Sequence, residues 1–534
     1  MRTQSKWTYI ITEAVIIVLS VLLAIYWGNR KQGYFIDENY SYTISNGTQL
    51  GIAIKSGEWN DTDAFLDQMI STGDENFHFA QACENTANDV HPPVYYILFH
   101  LISSIFTGVY SKWIGLSLNI ILLIPILITV NRLAYELSGE DKIISLIATA
   151  FYGLAPATMA HTVFIRMYML LSLWTLIYAY IHVCDLKRDR LSFVKFILPS
   201  MITCYLGFLT QYFYVVIMFF ITFIYAFYLA GFCHRIKDGI VYGLSILLSL
   251  ILAAISWPIC KFHIFKGYRG KGAVNQLFNF RDYIVRTKEY LSYLNRQVFG
   301  GLLVLFVLFL ITGVAVIIVR IVKEKKSGTR FIVKSLPLEV RGMILLGMAA
   351  VLDYIVIAQT GLLAGEASCR HMYTAYALFM VLVPIGCYML IRHFAGNKKQ
   401  VCYGAVAVML AVPTILGYVN RQVIFTYEDE KIANDYAISN PDAKVVVFQS
   451  DDGMYDSRIQ EFVKYPTVYF ASTGDLSTAV DDTIAHADEL LVYMPMEGVD
   501  EDACLNSIYE QNPGISRATL LWVNNDFFKA YLLD

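Results

Sequence analysis

Charge is scarce in this 534-residue chain: 16% of residues are Asp, Glu, Lys or Arg, against 56% hydrophobic and 14% aromatic. So apolar a composition, with a positive mean hydropathy, excludes a disordered chain and makes an ordinary soluble domain improbable. Thirteen prolines and 33 glycines are far too few for a collagen-like chain. Cysteine is present nine times, but no CxxC pair occurs, and most of the nine lie in or beside apolar blocks. Packing is their default role, and a disulfide framework is not expected. No internal repeat or low-complexity segment is found. No small-residue cleavage site follows the first apolar block, which begins after Arg2 and Lys6, so that block reads as an uncleaved helix rather than a signal peptide.

What the chain has is long apolar blocks, many near the 20 residues that a helix needs to cross about 30 Å of hydrocarbon. Eleven are expected: Tyr9 to Trp27, Trp113 to Val130, Ile143 to Ala160, Met167 to Val183, Phe196 to Leu209, Tyr212 to Ala230, Ile240 to Trp257, Gly301 to Val319, Met343 to Ala358, Thr374 to Ile391 and Val401 to Tyr418. Lys and Arg in the short loops orient them with the N-terminus inside. The inner segments then hold Arg132 and Lys142, Lys187 to Lys195, Arg235 and Lys237, a run from Arg320 to Arg341, and Arg392 to Lys399. The same rule makes Val94 to Val109 a re-entrant or interfacial helix, because a further crossing would turn the later basic loops outward.

A formal charge of -3 conceals two opposite halves. From Val419 onward there are 7 Lys/Arg against 21 Asp/Glu, a net of -14; before it there are 34 against 23, a net of +11. The expected organisation is a membrane domain over 1-418 and an acidic, extracytoplasmic α/β domain over 419-534, whose short apolar runs alternate with polar helical stretches. The other long external segments are a loop over 28-112 and a basic loop over 259-300.

Carboxylates and imidazoles gather in the first loop. Asp37 and Glu38 stand a few residues beyond the first span, and Asp89-Val90-His91-Pro92-Pro93 closes the same loop where the prolines open an apolar helix. On residues alone these are a solvated turn and an ordinary helix start. Together they resemble the Asp-Glu pair and the Asp-Val-His-Pro-Pro signature of protein O-mannosyltransferases. The continuation Pro92-Pro93-Val94-Tyr95-Tyr96 is similar to bacterial members of the same type C glycosyltransferase superfamily (glycosyltransferase family 39-like), including lipid A aminoarabinose transferases. The resemblance covers residues 1 to about 230 best, extends loosely to about 420 and does not reach the tail. The protein mannosyltransferases carry a different inserted external domain, so a protein acceptor is not implied here. Arg166 and Tyr168 in Phe164-Ile165-Arg166-Met167-Tyr168 resemble an Arg-x-Tyr element of the bacterial enzymes, and Arg370 in Cys369-Arg370-His371-Met372-Tyr373 resembles a late Arg element. Membrane anchoring and snorkelling account for the same residues.

The loop 259-300 breaks the positive-inside rule, with eight bases against Asp282 and Glu289. Three readings stand: the bases meet a substrate phosphate, they meet anionic head groups, or the topology is inverted. The glycines around Lys266, Arg269 and Lys271 suggest a mobile stretch.

These features, with the resemblance, imply an α-helical polytopic membrane protein of the type C glycosyltransferase fold, in a bacterial plasma membrane. Its expected reaction is inverting transfer of a sugar from a polyprenyl-phosphate donor to an unknown acceptor on the outer face, where no nucleotide sugar is at hand. One displacement needs a base for the acceptor hydroxyl and a stabiliser for the phosphate leaving group. Asp37 is the expected base, with Glu38 contacting the acceptor or orienting Asp37. Asp89 and His91 shape the same pocket or hold a divalent metal, since both are ligand types. Arg166, Tyr168, Lys266, Arg269, Lys271 and Arg370 are the candidates for the donor phosphate. Donor, acceptor and membrane lipids are the expected partners, and nucleic acid is not. The competing readings are a lipid or glycan transporter, which should carry broken or ionisable helices near the midplane, and a binding protein acting through its tail.

Overall fold

The computed structural model describes residues 2–325, 336–363, 365–396, 398–449, 454–524 and 528–534. Part of the basic run expected between Arg320 and Arg341 lies outside them. Among the described residues, eight helices are long and apolar enough to cross a membrane, and the chain is an integral membrane protein with a small C-terminal sheet domain. A further apolar pair, Lys142–Leu154 and Pro156–Val163, passes the same test only when taken together and is bent by 50°. The bend has a local cause. Pro156 lacks an N–H and forces Ala155 into an extended conformation (φ -74, ψ 144), which ends the first helix and starts the second. Two further expected spans fall on shorter apolar helices, Phe193–Phe208 and Leu303–Ala315, and the stretch read as re-entrant is the 12-residue helix Val94–Ile105.

The chain divides into two compact units whose make-up follows contacts rather than chain order. One comprises Met1–Trp27, Val90–Tyr95 and Leu116–Ile424; the other comprises Gly28–Asp89, Tyr96–Gly115 and Phe425–Asp534. In the first, small residues let helices close up: a Cβ on Gly207 would strike the Tyr214 ring, and one on Gly153 would strike Ser20. Polar side chains staple the same bundle. Tyr9 Oη bonds to Asn131 (2.5 Å), and Asn131 donates to Thr149 (3.2 Å).

The second unit is built on a six-stranded sheet: β1 (Glu58–Asp61), β2 (Val445–Gln449), β3 (Thr467–Ser472), β4 (Leu490–Pro495), β5 (Ala518–Asn524) and β6 (Phe528–Leu533), in the order β1-β3-β2-β4-β6-β5. The central three strands are parallel and the outer pairings antiparallel. Parallel strands covered on both faces read as unbroken apolar runs, as Val445–Phe448 and Leu490–Met494 do. One face packs Val446, Tyr469 and Val492 against Cys504 and Ile508 of the helix Glu501–Gln511. On the other, Phe462 meets Phe470 and Tyr493 edge-on. The edge strand β1 comes from the first loop, where Trp59 Nε1 donates to Asp481 (3.0 Å) and its ring meets Tyr469 at 5.3 Å.

Candidate functional site

In the second unit, Asp37 and Glu38 occupy the first turn of the helix Ile36–Asn46. Carboxylates are well placed there, facing unpaired backbone N–H groups and the positive end of the helix dipole. Their fates differ. Glu38 is wholly buried: its Oε2 accepts from Phe35 N (2.7 Å), capping the helix, and from Lys31 Nζ (3.0 Å). Lys31 is buried too, donates to Phe425 O (2.7 Å), and lies over the rings of Tyr34 and Tyr427. Burial lowers the Lys31 pKa against the pull of Glu38 and Glu430. Glu38 is thus held by the fold from two sides. Asp37 itself is half-buried.

Beside that pair runs a second buried ionic network. Arg458 donates to Glu430 (2.8 Å) and Glu461 (2.9 Å); Gln460 donates to Glu430 (3.1 Å) and Tyr493 Oη to Glu461 (2.8 Å). Burial pulls the Arg458 pKa down, but the two carboxylates more than reverse it and hold it above the usual value. Asp89 is half-buried in this unit and forms the C-cap of the helix Phe79–Asn88.

In the first unit, His91 and Arg166 meet: Arg166 Nη2 lies 3.1 Å from His91 Nε2. A guanidinium can only donate, so this imidazole nitrogen accepts and the ring proton sits on Nδ1. Arg166 stands in the break between the helices Pro156–Val163 and Tyr168–Asp185, whose freed carbonyls, Thr162 O and Phe164 O, both accept from Asn119 Nδ2 (3.0 and 2.7 Å). Arg166, Tyr168 and Arg370 are all buried. Tyr168 meets His371 and Tyr373 edge-on at 6.2 Å, Tyr373 stacks on His161 at 3.8 Å, and Phe213 lies 5.9 Å from His371. Arg370, on the turn Ala367–Met372, donates to Ala367 O (2.7 Å).

Lys266, Arg269 and Lys271 are exposed, with the Arg269 guanidinium over the Tyr268 ring at 5.2 Å. The glycine-containing stretch expected to be mobile is instead a helix, Tyr268–Leu277. Two other bases of the segment serve the fold. Buried Arg286 caps the end of the helix Leu338–Thr360 through Ala358 O (3.1 Å) and Gly361 O, and Arg296 pairs with Glu366 (2.7 Å). Among the described residues no group of three or more His, Cys, Asp and Glu comes together as a metal site, and the Nε2 of His91 faces a cation. Asp89 and His91 are not joined by a third such side chain among the described residues.

No family model and no curated protein matches the sequence. Solved structures do. ArnT from Cupriavidus metallidurans bound to undecaprenyl phosphate aligns with a TM-score of 0.50 at 12% identity, over 100% of this chain and 98% of that one. The fold is that of a type C glycosyltransferase. The same ArnT in its apo state gives 0.46 at 12% identity, over 99% and 98%, and an Archaeoglobus fulgidus oligosaccharyltransferase tethered to an acceptor peptide gives 0.44 at 13%, over 94% and 71%. At such identities the likeness is one of fold. Sequence reasoning passed over Lys31, Asn119 and His161. Lys31 carried one usable signal, a lysine directly after a span and seven residues before a carboxylate.

Proposed function

We propose that the protein is an inverting glycosyltransferase that moves a sugar from a polyprenyl-phosphate donor to an acceptor hydroxyl at the outer face of a bacterial plasma membrane. The observation that carries this reading is the whole-chain likeness to a structure solved with undecaprenyl phosphate. Asp37 takes the proton from the acceptor hydroxyl as its oxygen bonds to the anomeric carbon. The bond from that carbon to the phosphate oxygen breaks, and its electron pair leaves with the polyprenyl phosphate. A single displacement from the opposite face inverts the anomeric centre. Glu38 and Lys31 orient Asp37, and Asp89 shapes its surroundings. Arg166, held by His91, and Arg370 meet the charge that grows on the leaving phosphate, where a buried guanidinium acts with little screening. Tyr168 supplies an aromatic wall. Exposed Lys266, Arg269 and Lys271 add longer-range attraction for the donor's phosphate.

Buried Asp353 and the bend at Pro156 are features that a lipid transporter would share, so the test must read a covalent event. Purified protein is given a polyprenyl-phosphate donor carrying labelled sugar, and both labelled product and free polyprenyl phosphate are measured. Asp37→Asn at wild-type yield should lower transfer by about 100-fold or more, the usual contribution of a general base. Near-normal transfer by that variant would refute the assignment, and donor movement without bond cleavage in the wild type would refute the enzyme.

A further inference from the structure

At the far end of the helix Tyr168–Asp185 from Arg166, roughly 27 Å away at 1.5 Å per residue, three arginines surround a cavity of about 50 Å³. Its walls come from four places in the first unit: Asp185 to Asp189 after that helix, Tyr225 to Leu229 at the end of another, the turn through Cys233 and Arg235, and Arg341 near the start of Leu338–Thr360. The turn is shaped for the purpose, with the segment Tyr228–Phe232 widened into a π turn and His234 held at φ +54.

The arginines are built in rather than loosely draped. Arg341 Nη1 donates to Tyr228 Oη (2.6 Å) and Leu186 O (3.4 Å). Arg235 bonds through Nε to Asp238 (2.6 Å) and through Nη1 to Arg188 O (3.2 Å). Arg188 Nη1 reaches Asp185 (3.1 Å) and Lys195 O (3.3 Å). The carboxylates facing them are accounted for: Asp185 accepts from Tyr225 Oη (2.6 Å) and Arg188, Asp238 is held by Arg235, and Asp189 is exposed. Two donors are left over. Arg235 Nη2 and Arg341 Nε are buried and have no acceptor among the described residues. Native proteins rarely leave such groups unmatched, least of all charged ones. Two of them on arginines lining one cavity call for an occupant that offers several acceptor oxygens and negative charge.

We propose that this cavity is a binding site for the phosphate of an anionic phospholipid head group. Its volume is several times the roughly 10–15 Å³ that one water needs, and planar guanidinium groups match phosphate oxygens. It sits at the ends of membrane-crossing helices, the level of head groups, with the bases Lys187, Arg188, Arg235 and Lys237 that the charge pattern assigns to the inner side.

The test uses the full chain in neutral detergent. Thermal unfolding is followed while mixed micelles of phosphatidylglycerol or of phosphatidylcholine are added, and native mass spectrometry counts retained lipid. In parallel, inorganic phosphate is compared with chloride at equal ionic strength. Phosphatidylglycerol should raise the midpoint and be retained, and phosphatidylcholine should not. Arg235→Gln and Arg341→Gln should each weaken retention about tenfold or more, the scale of losing a charge-assisted hydrogen bond. Arg190→Gln, an exposed base on the neighbouring turn, should leave retention unchanged. Equal effects of both lipids on the wild type would overturn the proposal even if the arginine variants fail to fold, as would retention that survives both substitutions. A shift by inorganic phosphate as large as that by phosphatidylglycerol would overturn the lipid as source and make the ligand a free anion.

Discussion

Removing Lys31 tests how the proposed base is held. Lys31 and Glu38 are both buried, with Nζ and Oε2 3.0 Å apart. Replacing Lys31 by Met leaves the Glu38 charge buried without its cation, and breaking a buried pair from one side costs about 3–5 kcal/mol. Replacing both by Met removes the stranded charge. Isosteric apolar substitution of a buried pair is about neutral; apart from the Lys31 bond to Phe425 O, which both variants lack, what the double variant further loses is the bond from Phe35 N to Glu38 (2.7 Å), about 1 kcal/mol. The double variant should therefore be more stable than Lys31→Met alone by about 2–4 kcal/mol. Activity should not follow. With the first turn uncapped Asp37 loses its placement, so the double variant regains its unfolding midpoint while kcat stays low. Thermal unfolding in detergent and turnover of a labelled lipid-linked donor read the two quantities separately. A single variant that loses less than about 1 kcal/mol, or a double variant no better than the single, would refute this account of the pair.

Gly33→Ala should destabilise the second unit by about 1–3 kcal/mol: its Cβ would run into the Glu430 carboxylate, which Arg458 and Gln460 prevent from yielding. A midpoint within error of wild type would count against the rigidity of that network. Arg286→Gln should cost about 1–3 kcal/mol by uncapping Leu338–Thr360, whereas Lys288→Gln on the same helix, an exposed base, should cost almost nothing; equal effects would refute the cap. Partial burial pushes the Glu501 carboxyl up, but bonds from Lys529 and Tyr531 outweigh it and hold it below 4.5. Its stabilising contribution is therefore complete above about pH 4.5 and fades as pH falls through the lower folded value. The midpoint gap between wild type and Glu501→Gln should close in that acid window, and a gap constant from pH 7 down to 3 would show that the pairing does not stabilise the fold.

The spans were legible because each must cover some 20 residues with apolar surface, and that requirement leaves a plain trace. The central strands were legible for the same reason: Val445 to Phe448 and Leu490 to Tyr493 are unbroken apolar runs. Features that depend on a distant partner were not. Glu58–Asp61 is a strand because β3 offers it a ladder, although Glu-Trp-Asn-Asp has little β character of its own. Gly270 and Gly272 suggested mobility, yet they lie in a helix packed along Leu338–Thr360, where tertiary contact overrides a penalty of about 1 kcal/mol per glycine. Within the site, the residue types and their order along the chain were readable from the resemblance. The division of labour between Asp37 and Glu38 was not, because it is set by Lys31 and by where Phe425 O lies.

The strand β1 also has a consequence in time. Asp61 pairs with Thr467, about 400 residues later. At the roughly 5–20 residues per second of synthesis, the segment Glu58–Asp61 waits some 20–80 s as an unpaired edge while helix after helix is inserted. Its charged, short sequence is what keeps such an edge from recruiting a neighbour in the meantime. Shortening the chain before Thr467 would leave that wait without an end.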